Sequence, residues 1–308
     1  MPVSSPADPV TVVVPNWNGE QLLPSVLDAV ASQTRPPAAV VVVDNGSTDG
    51  SADVAADRPE VEVVRLPTNG GFGAAANAGL ERCRTPNLVV LNSDARPEPD
   101  WLEALAGDGP CGDDIWAWGS VLVSAATGDV ESAGDFVRWT GSSGKFLRGC
   151  PVGELPDEPY EVLAPPGAAP LLRAEVVRDL GGWFEPYFLY YEDLDLAMRA
   201  RLAGYRAHMV PSARVTHDLA GSSGGRPPWD HIARSSTWCT IRTNPALSLQ
   251  GFARLHAREY RIARRHGGTA GWARGKARAL PAIPRRVAER RRIMRAATDR
   301  AWVPGPPR

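Results

Sequence analysis

The chain has 308 residues, 43% of them apolar and 22% charged, with a formal net charge of −1. That length buries a full core in one or two domains, and the composition is that of a soluble globular protein. The balanced total hides a segregation: residues 251–308 hold 16 Lys and Arg against 3 Asp and Glu, so a basic C-terminal region follows an acidic body and points to an anionic partner. The four cysteines, Cys83, Cys111, Cys150 and Cys239, form no CxxC pair, which argues against a zinc site or a disulfide framework and suits a reducing compartment. No apolar run approaches the roughly 18–20 residues that span a bilayer. Residues 1–9 have neither the basic nor the apolar part of a signal peptide. The expected location is cytoplasmic, with any membrane contact peripheral, on the inner face of the plasma membrane.

Residues 10–14 read as a buried strand, and 19–32 as a helix with Leu22, Leu23, Val26, Leu27 and Val30 on one face. Residues 40–43 form a second strand, ending in the turn Asp44-Asn45-Gly46-Ser47-Thr48-Asp49-Gly50, where Ser47 and Thr48 read as caps of the following helix. A third strand at 61–66, an alanine-rich helix at 71–83 and a fourth strand at 88–91 follow. Strands alternating with helices imply an α/β protein with a largely parallel sheet covered on both faces. In such sheets ligands bind beyond the C-terminal strand ends, where Asn16, Asp44 and Asp94 fall. Residues 101–123 contain a helix and the strand 116–123, while 124–165 are Gly- and Pro-rich without a clear period. A strand at 167–173, a short helix at 174–180, a helix at 192–203 and short strands at 205–210 and 213–217 come next. After the break at 222–225 a helix is expected over 228–243, then two arginine-rich helices separated by Gly267-Gly268, with 304–307 frayed.

Three acidic sites stand out. Asp44, at a strand end, can accept hydrogen bonds from a nucleobase or ribose, with a turn acid as the plain alternative. Asn92-Ser93-Asp94 places a carboxylate where Mg²⁺ or Mn²⁺ would sit against a diphosphate; a turn aspartate is the alternative there. In Glu192-Asp193-Leu194-Asp195, acids at a helix start are favoured by the dipole, which explains one of them more easily than three. Crowded acids raise one another's pKa, which suits a general base, and Asp195 reads as a cap or an orienting group. His217, at a strand end, is a metal- or phosphate-binding candidate or a structural histidine. Asn69-Gly70-Gly71-Phe72-Gly73 can bring backbone N–H groups to a diphosphate. It is neither GxGxxG nor a Walker loop, which counts against a dinucleotide dehydrogenase and a P-loop nucleotidase.

Together these stretches resemble the inverting family 2 glycosyltransferases, in particular the rhamnosyltransferase-like branch. The resemblance runs through Val13-Val14-Pro15-Asn16-Trp17-Asn18-Gly19, Gln33-Thr34, Val43-Asp44-Asn45-Gly46-Ser47-Thr48-Asp49-Gly50-Ser51 and Asn69-Gly70-Gly71-Phe72. It continues through Leu91-Asn92-Ser93-Asp94, Gly181-Gly182-Trp183, Tyr191-Glu192-Asp193-Leu194-Asp195-Leu196 and His217, over about residues 10–245. It implies a GT-A fold: a nucleotide-sugar-binding half (1–123) with a Rossmann-like, mostly parallel mixed sheet, an acceptor-binding half (124–245) and a basic helical extension (246–308). Carried over, Asp193 is the catalytic base with Glu192 shaping the site. Pro15, Asn16, Asn18, Asp44, Asn45, Gly71, Asn77, Asn92 and Ser93 fall on the nucleotide, and Asp94 and His217 on a divalent metal, Mg²⁺ or Mn²⁺. Three positions depart from the family: Asn-Ser-Asp has lost one acid of the metal motif, Gly181-Gly182-Trp183-Phe184-Glu185 has lost another acid, and Arg234-Ser235 stands for Arg-Asn.

The implied activity is inverting transfer of a sugar from a dTDP-, UDP- or GDP-sugar to a glycan or lipid-linked acceptor hydroxyl, in cell-surface polysaccharide or glycolipid synthesis. The alternatives are a nucleotidyltransferase or sugar-nucleotide pyrophosphorylase, for which a basic Gly-rich loop near the N-terminus is missing, and an inactive nucleotide-sugar-binding protein. For the tail, with Arg285, Arg286, Arg290, Arg291, Arg292 and Arg295, two readings stand: a peripheral helix on anionic lipid, or a solvated or oligomer-contacting face. Nucleic acid is not expected as a partner, because few aromatics interleave the arginines.

Overall fold

The computed structural model describes residues 5–218 and 227–298; the expected break at 222–225 and the proline-rich end at 304–307 lie outside them. Strands β1 (Val10–Asn16), β2 (Ala39–Asp44), β3 (Val61–Arg65) and β4 (Asn87–Val90) alternate with helices α1 (Leu23–Ala31), α2 (Ser51–Ala56) and α3 (Phe72–Arg82). They pair in parallel in the order β3-β2-β1-β4. Val12 and Val14 of β1 pack on the α1 side, Val13 on the α3 side. Burial on both faces is why these strands read as unbroken valine runs rather than alternating ones. Helix α1 starts later than its apolar pattern suggests, because Pro24 fits only the first turn and the chain from Gly19 to Leu22 is a turn.

Beyond β4 come β5 (Ala95–Pro97), α4 (Trp101–Asp108), β6 (Ile115–Ser124), β7 (Val130–Ser132), β8 (Asp135–Val137), β9 (Ser143–Lys145), β10 (Tyr160–Val162) and β11 (Leu171–Arg173). Strand β11 runs antiparallel to both β4 and β6, which makes the sheet mixed. Then follow α5 (Ala174–Asp179), α6 (Glu192–Leu202) and β12 (Arg206–His217). The sheet order is β10-β12-β6-β11-β4-β1-β2-β3, with β5 on β12 and β7 on β6, while β8 and β9 form a separate hairpin. The two short strands expected at 205–217 are one strand. Its register slips between Val210 and Arg214, and Pro211 is tolerated there because a bulge needs no ladder donor. The unassigned stretch 124–165 supplies four three-residue strands, too short to show a period.

The C-terminal region holds α7 (Trp229–Thr243), α8 (Leu249–Arg265), α9 (Thr269–Ala279) and α10 (Ile283–Ala296). Three helices follow α7 rather than the two expected, because Pro281 and Pro284 interrupt the second arginine-rich segment. They pack on α7: Trp238 Nε1 donates to the Ala279 carbonyl at 3.0 Å, and Lys276 donates to the Ala233 carbonyl and to Thr237 Oγ1. Arg286 is 2% exposed, with its guanidinium over the rings of Phe184 and Trp238. Among the described residues no helix is long and apolar enough to cross a membrane.

Candidate active site

Parallel pairing brings the C-terminal ends of β1, β2 and β4 together, with Asn16 in register with Asp44. A cavity of about 420 Å³ opens there, its wall including Pro15, Asn16, Asn18, Asn45, Gly71, Asn92, Ser93 and Asp94. Asn16 Nδ2 donates to Ser51 Oγ at 2.9 Å. Asn18 takes a left-handed φ of 52°; its N–H donates to Ser47 Oγ at 2.9 Å and its Oδ1 accepts from Thr48 N at 2.8 Å. Ser47 and Thr48 therefore tie two strand-end loops together and do not cap α2, whose N-cap is Gly50. Two acceptors in this wall, Asn16 Oδ1 and Asn92 Oδ1, are buried without a partner. An unpaired buried acceptor costs about 1–3 kcal/mol, so both are positions where a ligand N–H or O–H would be welcomed.

Two nominated nucleotide residues stand outside this wall. Asp44 is 5% exposed, and its carboxylate accepts from Ser47 N at 3.4 Å. Asn77, on α3, donates to the Trp183 carbonyl and to Glu185 Oε1, each at 2.9 Å, and accepts from Trp183 N; this polar clamp fixes the turn before α6. The glycine loop also departs from expectation. Gly70 N donates to Asn45 Oδ1, Gly71 N to Asn69 Oδ1 and Phe72 N to the Phe188 carbonyl at 2.8 Å, so these donors are spent inside the protein. Gly71 is required sterically: its φ is 87°, and a Cβ would lie 2.2 Å from the Phe188 carbonyl oxygen.

A second chamber of about 310 Å³ adjoins the first and shares Phe72, Asn92, Asp94 and Leu189 with it. Its wall carries Glu131, Asp135, Lys145, Tyr190, Glu192, Asp193 and His217. Phe188, Tyr190 and Tyr191 all take left-handed φ values, 65°, 68° and 75°. Each costs on the order of 1–3 kcal/mol. This kinked approach starts α6 so that Glu192 and Asp193 meet the chamber in its first turn. Glu192 is 7% exposed and its Oε2 has no partner; burial, then the charge of Asp193, pushes its carboxyl up to about 8. Burial raises Asp193 as well, against a hydrogen bond from Leu194 N and the charge of Lys145. Asp193 Oδ1 accepts from Leu194 N at 2.7 Å. A Cβ at Gly167 would come within 2.6 Å of its Oδ2, so only glycine leaves this carboxylate its place. Asp195, fully buried, turns the other way. It accepts from Arg199 Nε at 2.7 Å, Tyr187 Oη at 3.0 Å and Arg242, which pins α6 to α7.

Where the chambers meet, β5 pairs with the end of β12 so that His217 lies opposite Ala95. That register sets His217 Nε2 3.2 Å from Asp94 Oδ1. On the other side of the ring, Nδ1 lies 2.6 Å from Glu131 Oε2, and Lys145 Nζ is 2.5 Å from Glu131 Oε1. Burial opposes charge on His217, but the two carboxylates outweigh it and lift the imidazole to about 9. Burial likewise opposes ionisation of Glu131, which its bond to His217 and the charge of Lys145 pull down to about 2. Asp135, bonded to Ser132 Oγ at 2.7 Å, is raised by burial to about 6. Among the described residues no three His, Cys, Asp or Glu side chains converge as a self-sufficient metal site. The charged His217 ring holds a proton between Nε2 and Asp94; a cation sharing its remaining positions with phosphate oxygens would displace that proton, and Asp94 and the freed Nε2 would then be its two protein donors.

Sequence reasoning missed Glu131, Asp135 and Lys145, whose short strands carry no local pattern. It also missed His231 of α7, which reaches the first cavity and stacks on Phe188 at 5.3 Å. Trp17, 45% exposed on that cavity's wall, was in view only as part of a motif.

Residues 11–108 match the model of glycosyl transferase family 2. The chain is 32% identical over 212 residues to the pre-mycofactocin glycosyltransferase of Mycobacterium tuberculosis, covering 68% of this chain and 42% of that protein; it thus spans less than half the length of that curated relative. It is 29% identical over 271 residues to the N-acetylglucosaminyl-diphospho-decaprenol L-rhamnosyltransferase of the same organism, covering 73% of this chain and 81% of the relative. Among solved structures, the mannosyltransferase PcManGT of Pyrobaculum calidifontis in complex with GDP-Man and Mn²⁺ superposes with a TM-score of 0.57 at 20% identity, over 98% of this chain and 90% of that one. GalNAc-T7 with UDP, GalNAc and Mn²⁺ gives 0.59 at 16% identity, over 90% and 58%. At these identities the structural likeness is one of fold.

Proposed function

We propose that this chain, which is of GT-A fold and related to the family 2 glycosyltransferases, moves a sugar from a nucleotide-diphospho-sugar to an acceptor hydroxyl with inversion. One observation carries the reading: two chambers meet at Asp94, one walled mainly by amides and aromatic side chains with His231 at its edge, the other by a cluster of carboxylates with Lys145 and His217. The donor nucleotide lies in the first, where Asn16 and Asn92 offer free acceptors to nucleobase or ribose donors. The acceptor enters the second. The anomeric carbon sits at the seam, between the leaving diphosphate beside Asp94 and the attacking hydroxyl beside Asp193.

Asp193 takes the proton of that hydroxyl as it attacks; burial holds its carboxyl, and that of Glu192 beside it, above the ordinary carboxylate range. The hydroxyl approaches opposite the leaving group, so a single displacement inverts the centre. Asp94 and Nε2 of His217 would hold Mg²⁺ or Mn²⁺. Bound there, the cation supplies neutralisation of the diphosphate's charge. Glu131 orients the His217 ring through Nδ1 and fixes which nitrogen faces the seam. The division of labour follows the chain: 1–123 for the donor, 124–245 for the acceptor and 246–308 as an extension. The named activity of the decaprenol relative supports a rhamnosyl donor and a lipid-linked acceptor.

The test is incubation with a panel of dTDP-, UDP- and GDP-sugars in Mn²⁺, with and without polyprenyl-linked glycans. The expected result is nucleoside diphosphate release stimulated by acceptor, with an inverted anomeric centre by NMR. Release of pyrophosphate would instead indicate a nucleotidyltransferase. Donor binding without any release, under every acceptor tried, would indicate an inactive sugar-nucleotide binder.

A further inference from the structure

We infer that the exposed face of α8, together with Trp139, is a docking surface for an anionic lipid bilayer. The basic charge of the C-terminal region divides into two kinds once the helices are folded. On α10 part of it is turned inward: Arg286 is buried and pairs with Glu289, and Arg290 donates to the Asn244 carbonyl, while Arg285, Arg291 and Arg292 stay on the surface with no large exposed apolar side chain of that helix beside them. On α8 it is not. Among the described residues, none of Arg254, Arg258, Arg261, Arg264 and Arg265 is paired with a carboxylate, and the helix's one acid, Glu259, is buried against Lys276.

Apolar groups accompany these arginines on the surface. Leu249 is 92% exposed, Tyr260 43% and Trp139 37%. At 3.6 residues per turn, Leu249, Ala253, Ala257 and Tyr260 run down one edge of the exposed face, with Arg254, Arg261 and Arg265 beside them. Leu255, Glu259 and Ala263 occupy the opposite, buried side. Trp139 joins the near end of this face: its ring lies against Gly251 and under the Arg254 guanidinium. A row of unpaired cations alongside exposed aliphatic and aromatic groups matches the boundary of an anionic bilayer, where arginines meet headgroups and apolar side chains enter the acyl edge. A nucleic acid would use the cations but leave Leu249 exposed.

The placement also bears on the acceptor, a point that rests on the sugar-transfer reading where the docking face does not. Trp139 lies between β8 and β9, the hairpin whose Asp135, Ser143 and Lys145 wall the second chamber. A bilayer against α8 and Trp139 therefore lies one hairpin from the acceptor chamber, within reach of a lipid-linked glycan.

The experiment is vesicle flotation of the full chain, read against its far-UV circular dichroism. Phosphatidylcholine vesicles containing about one part in three phosphatidylglycerol should carry the protein at low ionic strength, and pure phosphatidylcholine should not. Added salt should release it. The combined variant Arg261→Glu, Arg264→Glu and Arg265→Glu should lower partitioning by at least about 10²-fold, since each basic residue near an anionic surface contributes about a factor of five. Leu249→Gln should weaken the binding that survives added salt, while Arg291→Glu with Arg292→Glu on α10 should change little. No flotation of the unmodified protein on anionic vesicles at low salt overturns the inference, whatever the variants do. So does an α10 reversal that weakens binding as much as the α8 reversal. Tight salt-sensitive binding to duplex DNA with no vesicle binding would assign the face to nucleic acid instead.

Discussion

The two chambers on either side of Asp94 differ in how they are built. The first is walled by Pro15, Asn16, Asn18, Asn45, Asn92 and Ser93, side chains without charge on loops at the ends of parallel strands. The second is walled by Glu131, Asp135, Lys145, Glu192, Asp193 and His217, drawn from β7, the β8–β9 hairpin, a kinked helix start and the end of a long strand. Neutral amides hold their geometry at any pH, which suits recognition of one fixed ligand. Clustered ionisable groups change charge with their surroundings, which suits proton transfer. In the proposed transfer, binding falls to the first chamber and chemistry to the second.

The largest expected effect separates them most sharply. Asp193→Asn keeps the volume but cannot take a proton, so kcat for transfer should fall by at least about 10²-fold while the Kd for the nucleotide-sugar, measured by calorimetry, stays within about twofold of the parent. A matching loss of donor affinity would mean that the chambers do not divide the work. Next is the shared residue. Asp94→Ala should weaken donor binding in Mn²⁺ by about 10–100-fold, the range seen when a metal's surroundings lose a carboxylate, and leave it unchanged in EDTA. Glu131→Gln should lower Mn²⁺ affinity in the presence of nucleoside diphosphate without altering donor binding in EDTA. Equal donor affinity in Mn²⁺ and EDTA for the unmodified protein would remove the cation from the seam.

Gly167→Ala is a smaller perturbation confined to the second chamber. Its methyl would crowd Asp193 Oδ2, and a displaced base should cost about 10-fold in kcat with donor Kd unchanged. An unaltered kcat would show that the carboxylate has room to move. The smallest effect is on stability. The folded protein holds the Glu192 carboxyl at about 8 against an ordinary 4.5, so between these values the native state keeps a proton that the unfolded state releases. Stability from this group is full below about pH 4.5 and is lost as pH rises towards 8. Glu192→Gln should flatten that part of the Tm-versus-pH curve and gain most over the parent at the alkaline end. Parallel curves for parent and variant would place the raised pKa elsewhere.

The first chamber was the more legible of the two. Its strands are runs of valine buried on both faces, and its polar residues follow each run within one or two positions, so proximity in the chain stands for proximity in space. Even there, two assignments depended on direction rather than position. Asp44 lies at a strand end but outside the cavity wall, and Asn77 on α3 is committed to Trp183 and Glu185. The order of the glycine loop was visible as well; that its N–H groups would be taken by Asn45, Asn69 and Phe188 was not.

The second chamber needed the folded chain. Glu192, Asp193 and His217 announced themselves as a local cluster and a strand-end histidine. Glu131 and Lys145 lie in three-residue strands whose placement comes from pairing with β6 and β8, and such strands are too short to carry a period of their own. The arginines of the C-terminal helices make the same point at the surface. Composition alone determined that this region is basic, and helical spacing determined that it forms helices. Which guanidinium groups stack on Phe184 and Trp238, and which face outward unpaired on α8, depended on how α9 and α10 close over α7. Local pattern reports what each segment buries; only the packing of distant segments decides which charges meet a partner and which are left to find one.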